Sequence, residues 1–216
     1  MTLKNIVNSD KDRYFEILAV LLTGLLKFIF MDWLNLRAFY IGITCLFWII
    51  YVYKRYQSDH TILKSWGFQK DNFRQSFFFL LPFAIISCTV IVLYGFYNHV
   101  NILNWHVIPI FLLYPVWGFI QQFMMLGLIA GNLKELRHIT FKDYQIVVLI
   151  SLLFSLVHYP SVFLMIFTFF MELIFIFTYF KWRNLWSLGL YHGVIATLLL
   201  FYVLERDLWL ELWPGY

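Results

Sequence analysis

Seven apolar runs, near residues 14–31, 36–53, 76–97, 106–130, 144–158, 161–180 and 184–204, alternate with short polar connections along the chain. A hydrocarbon core takes about 20 helical residues to cross, and each run is long enough to cross it or nearly so. The pattern predicts an all-α polytopic membrane bundle of about seven transmembrane helices, forming one integral membrane domain over 1–216. The fifth run is short and ends at His158-Tyr159-Pro160-Ser161. Proline cannot continue the helical hydrogen-bond ladder and disfavours helical geometry at the residue before it. A turn at that depth has to be shielded by protein or open to a cavity, so His158 is expected at a helix end beside a polar cavity. One kinked helix through 144–180 would run to about 37 residues, too long for a single span.

Composition agrees with the pattern. The chain has 216 residues, of which 62% are hydrophobic, 22% aromatic and 13% charged, a balance that excludes an ordinary water-soluble domain. The partner this implies is the lipid bilayer. A net charge of +4 does not point to nucleic acid, because the basic residues lie between apolar runs and not along one face. Their distribution tests the span count. One side of a seven-span topology receives Lys4, Lys11, Arg13, Lys54, Arg55, Lys64, Lys70, Arg74, Lys134, Arg137, Lys142, Lys181 and Arg183, thirteen in all, and the other only Arg37 and Arg206. Lys27 falls inside the first run. The asymmetry predicts an odd number of spans, the N-terminus in the cytoplasm and the C-terminus outside.

The remaining segments add detail. The first residues through Arg13 are polar, and the run after them has no small-residue cleavage site, as expected of a retained first span. The connection 54–75 contains Ser65-Trp66-Gly67-Phe68, expected at the cytoplasmic interface, and the aromatic tail from Leu208 to Tyr216 is expected on the outer surface. Cys45 and Cys88 lie inside apolar runs without metal-ligand spacing and read as buried thiols.

Candidate chemistry comes from polar groups at membrane depth. Gln121 and Gln122 interrupt the fourth run, and a side-chain amide finds no water in hydrocarbon, so the pair is expected to face protein or a wet cavity. Trp117, Gly118 and Met125 neighbour the pair, and Pro115 should bend the helix. Gly127 and Gly131 read as a packing pair. On the seventh run, Gly189, His192, Gly193 and Ala196 share one side at spacings of three and four, letting helices crowd around the imidazole. Glu172, within the sixth run, is the costliest single residue to bury. Each has a purely structural reading as well: the amides as interhelical hydrogen-bonding groups, the histidines as packed core residues, Glu172 as a protonated acid bonded to a neighbouring span. Convergence of Gln121, Gln122, His158, Glu172 and His192 on one site is the expectation that would favour function. Two histidines and a carboxylate can bind zinc, but their spacing matches no local ligand motif, and no cofactor is expected.

The order of these motifs resembles the CPBP family of intramembrane endopeptidases, which contains the CAAX-prenyl proteases and the bacteriocin-processing and self-immunity proteins. The resemblance covers about 106–204. The family's Phe-x-x-x-His matches Phe154 and His158, and its His-x-x-x-Asn or Asp matches at His192, with Ala196 in the last position. Its Glu-Glu-x-x-x-Arg falls on Gln121, Gln122 and Leu126, with Gly127 at the glycine that often follows. The resemblance implies a membrane-associated peptide substrate, hydrolysis without metal and a bacterial plasma membrane. It also implies that the paired acids activate water while histidine and asparagine hold the water or the oxyanion. An amide takes no proton near neutral pH, though it can orient a water or donate to an oxyanion. If hydrolysis survives, His158, His192 and Glu172 are the candidate bases. A peptidase with altered or lost activity is therefore the leading reading. The alternatives are a non-catalytic relative that binds a hydrophobic peptide or partner in self-immunity or maturation, and a small proton-coupled transporter, which internal symmetry would favour and which the chain does not display.

Overall fold

The computed structural model describes residues 9–101 and 104–212. Lys4, counted above among the cations, and the last four residues of the aromatic tail lie outside the described residues. Every regular element among the described residues is helical: α1 (Asp10–Lys27), α2 (Arg37–Ser58), α3 (Ile62–Trp66), α4 (Phe73–Tyr97), α5 (Val107–Gln122), α6 (Gly131–Glu135), α7 (Asp143–Leu156), α8 (Val162–Trp182), α9 (Leu185–Tyr202) and α10 (Leu208–Leu212). Two π-helical stretches, Phe28–Trp33 and Phe123–Ala130, extend α1 and join α5 to α6. Helices thus stand at all seven predicted runs. Among the described residues, five helical segments are long and apolar enough to cross a membrane: Asp10–Trp33, Phe73–Tyr97, Val107–Glu135, Val162–Trp182 and Leu185–Tyr202. The chain is a polytopic membrane bundle. At 14 residues, α7 is apolar but shorter, as the proline-terminated run requires.

Two compact units form, one from residues 9–68 and 124–177, the other from 69–101, 104–123 and 178–212. In the first unit, α1 starts with a capping box: the Ser9 hydroxyl accepts from the Asp12 amide, and the Asp12 carboxylate accepts from the Ser9 amide. Its buried face carries Arg13, Glu16 and Val20, so two ionisable side chains point inward where apolar ones are usual. Arg13 Nη1 donates to Glu135 at 2.5 Å, Asn132 Nδ2 to Glu16 at 2.5 Å, and the Tyr51 hydroxyl to the same carboxylate at 2.6 Å. Arg55 adds its guanidinium 3.5 Å from Glu16. The short helix α3 ends at Gly67 with φ 107°, the left-handed conformation that suits glycine, and its Trp66 is buried at 2% exposure against Tyr51. Within the segment expected at the cytoplasmic interface, this tryptophan packs inside the unit. An apolar groove of about 480 Å³ between α1 and α2, lined by Phe15, Leu18, Leu22, Phe39, Ile43 and Phe47 among others, holds none of the candidate site residues.

The second unit is built around α9, which is buried on nearly all sides by α4 and α5. Asn184 caps it, accepting from the Ser187 amide, while Asn184 Nδ2 donates to the Gln69 carbonyl at 2.6 Å. The Ser76 and Ser187 hydroxyls meet at 2.5 Å, and the Tyr191 hydroxyl donates to the Phe77 carbonyl. These bonds tie α4 to α9 without a charged group.

Candidate functional site

Glycine and proline set the approach of α5 to α9. Pro115, Gly118 and Gln122 share the buried face of α5, and Gly189, His192 and Gly193 face it from α9. A Cβ at Gly118 would lie 2.7 Å from the Gly189 carbonyl, and one at Gly193 would lie 2.3 Å from Pro115 Cα. A Cβ at Gly189 would meet the Phe119 ring at 2.2 Å. No side chain fits at these three positions, so the helix backbones run nearly in contact. The crowding expected around His192 is present.

That approach lets two long polar side chains reach one another. Gln122 Nε2 lies 3.0 Å from His192 Nδ1, with Gln122 fully buried and His192 2% exposed. With the amide donating, Nδ1 accepts and the ring proton sits on Nε2. In that tautomer the donor nitrogen of the ring is Nε2, the kind of group that can bond a carbonyl or an oxyanion. Gln121 is half-buried, and its side-chain oxygen is buried without a hydrogen-bond partner among the described residues. Leu126, four residues after Gln122, is fully buried. The π-helical stretch begins directly after Gln122, a local feature often found at functional sites.

His158 and Glu172 belong to the first unit. Helix α7 ends at Leu156, residues 157–160 turn with a cis Tyr159–Pro160 bond, and α8 begins at Val162. His158 Nδ1 donates to the Phe154 carbonyl at 2.7 Å, and the two rings meet edge to face at 4.9 Å. The Phe-x-x-x-His spacing is thereby a physical unit: the fourth-residue carbonyl and ring fix the imidazole, leaving Nε2 as the acceptor. Lys27 donates to the neighbouring Val157 carbonyl at 3.1 Å. Glu172 is fully buried on α8, on the same side as Met171, Phe175 and Ile176. Of the five candidates, then, Gln122 and His192 are in direct contact and Gln121 adjoins them in the chain, while His158 and Glu172 belong to the first unit.

Sequence reasoning missed two polar constellations. One is the Arg13, Glu16, Asn132 and Arg55 network of the first unit, whose only sequence signal is a charged pair three residues apart at the start of an apolar run. The other lies outside the spans: His106 Nδ1 donates to Asp207 at 2.5 Å, Asn104 donates to the same oxygen at 3.0 Å, and the other carboxylate oxygen accepts the Trp209 amide at 3.0 Å. Burial alone would raise the Asp207 carboxyl, but the hydrogen bonds from His106 and Asn104 outweigh it and hold it below its ordinary range. Among the described residues, no group of three or more His, Cys, Asp or Glu side chains gathers at metal-binding distance.

Comparison with known families matches residues 103–198 to the family described as Type II CAAX prenyl endopeptidase Rce1-like. The matched stretch contains Gln121, Gln122, His158, Glu172 and His192. No curated protein and no solved structure matches the chain.

Proposed function

Because the chain belongs, through residues 103–198, to the Rce1-like CAAX prenyl endopeptidase family, we propose that it is an intramembrane protein of peptidase ancestry. In this reading it holds a membrane-associated peptide at the Gln122–His192 pair, with the family's hydrolysis lost or strongly reduced. The observation that carries this reading is the 3.0 Å bond between the buried amide and the imidazole. Where the family has two acids, neither amide can accept a proton from water, and the imidazole nitrogen facing Gln122 is already occupied as an acceptor. What the stretch retains is hydrogen-bonding capacity: the Gln121 amide beside the pair can donate to a peptide carbonyl in a dry site where such a bond is strong. A hydrophobic peptide held but not cut suits a role in self-immunity or maturation.

Seven spans in one membrane domain over 1–216, with the N-terminus in the cytoplasm of a bacterial cell, complete the reading. Helices at all seven apolar runs and the thirteen-to-two partition of cations support it.

The test restores the acids. The purified chain and its Gln121→Glu/Gln122→Glu variant are incubated with a library of membrane peptides, cleavage is read by mass spectrometry and retention by photo-crosslinking. Retention without cleavage by the native chain, and cleavage gained by the variant, are the expected results. Cleavage by the native chain that disappears in His158→Ala, His192→Ala or Glu172→Gln would overturn the proposal and place the base among those three residues.

A further inference from the structure

In the second unit, the turn 69–72 before α4 and the turn between α8 and α9 are locked together by side-chain amides. Gln69 Nε2 donates to the Trp182 and Arg183 carbonyls at 3.2 and 2.9 Å, and Asn72 Nδ2 donates to the Trp182 carbonyl. These bonds fix the spacing of cations carried by both segments. Arg74, in the first turn of α4, places its guanidinium 5.9 Å from the centre of the Phe78 ring one turn on. Lys181 lies 4.4 Å above the Trp182 ring and 5.5 Å from that of Phe79, the two rings being 4.8 Å apart. Lys70 stands just before α4, exposed like Arg74 and Lys181. Over 69–79 and 181–183 the only acidic residue is Asp71.

The rings beneath the cations face outward, Phe78 being 55% and Phe79 42% exposed at the beginning of an apolar span. At a span end tryptophan settles at the headgroup level of a bilayer and phenylalanine at the acyl boundary just beneath it, and cations above them reach toward phosphate. A free anion would use the cations alone. A phospholipid uses both layers, with its phosphate on the cations and its glycerol and first methylenes on the rings. We infer that Arg74 over Phe78 and Lys181 over Phe79 and Trp182, with Lys70 just before α4, form a binding site for the headgroup of an anionic phospholipid. The site lies apart from the Gln122–His192 pair, and each inference can fail without the other.

The experiment uses the full chain purified in detergent, offered equal amounts of phosphatidylglycerol and phosphatidylcholine, with retained lipid counted by native mass spectrometry. Phosphatidylglycerol is retained in preference, and the Arg74→Gln/Lys181→Gln variant loses that preference by about fivefold per charge removed, about 25-fold in all. The swapped Arg74→Lys/Lys181→Arg variant keeps it, as does Lys142→Gln in the other unit. If the double variant does not fold, Lys181→Gln alone carries a loss of about fivefold. Equal retention of the two lipids, an equal loss from Lys142→Gln, or displacement of phosphatidylglycerol by millimolar inorganic phosphate would each overturn the proposal.

Discussion

The two units solve one problem, holding helices together where lipid offers no hydrophobic reward for contact, by different chemistry. The first places ionisable groups inside: Glu16 takes bonds from Tyr51 and Asn132 beside the Arg55 guanidinium, and Arg13 reaches Glu135. Among the described residues, the second has no buried charged side chain at its core. Its helices approach through Gly118, Gly189 and Gly193, and the polar contacts between α4, α5 and α9 include amide, hydroxyl and imidazole groups, as in Asn184, the Ser76–Ser187 pair and Gln122–His192. Charged networks are stiff in the sense that removing one member strands the others in a low dielectric. Neutral contacts between membrane helices are individually modest, averaging roughly 0.6 kcal/mol, so precision there comes from backbone proximity. The unit that relies on proximity is also the one holding the Gln122–His192 pair.

The contrast can be broken from either side, because each unit carries one reporter thiol, Cys45 on α2 and Cys88 on α4, both half-buried and unbridged. The largest effect is expected from Glu16→Ala, which takes the acceptor from the Tyr51 hydroxyl and the Asn132 amide and leaves Arg55 to its Asp12 partner: a loss of roughly 3–5 kcal/mol, read by unfolding in mixed micelles, with labelling of Cys45 accelerating before that of Cys88. Gly193→Ala comes next. Its methyl would press on the Pro115 backbone, which cannot swing aside, so about 1–3 kcal/mol is lost, and here Cys88 labels first. Should Gly193→Ala accelerate Cys45 equally, the two units are not independently held. Asn184→Ala removes a cap and the bond to the Gln69 carbonyl at a cost of about 1–2 kcal/mol, measured by the same unfolding curve. The smallest effect concerns Asp207, whose depressed carboxyl favours the folded form above the ordinary carboxylate range. That contribution is lost as pH falls through the folded value. Trp209 emission should therefore change reversibly at acid pH, and Asp207→Asn should flatten that acid limb.

Much of this contrast was written in the chain, though unevenly. The apolar runs located the five described helices long enough to cross a membrane, and Pro160 the break between α7 and α8. Gly189 and Gly193 foretold crowding because small residues at helical spacing have one main use at a helix interface. Which of two adjacent amides meets the imidazole was beyond reach: neighbouring residues point about 100° apart on a helix, and only the rotation of α5 against α9 selects Gln122. The charged network escaped for another reason. Arg13 entered the reading as a topological charge, and Glu16 as part of an apolar run, while the Asn132 that bonds Glu16 lies 116 residues further on. A pattern read along the chain weighs near neighbours, whereas burial of a charge is decided by distant ones.

The burial of α9 also bears on how the protein is made. Some 72% of its membrane segment is enclosed, against 28% for α4, and it is synthesised after both helices that pack on it. Until the ribosome has delivered residue 202, the faces of α4 and α5 that bear Ser76, Gly118 and Gln122 have no lid, and must wait in the bilayer or beside an insertion factor. Assembly of the second unit is thus timed by its final membrane helix.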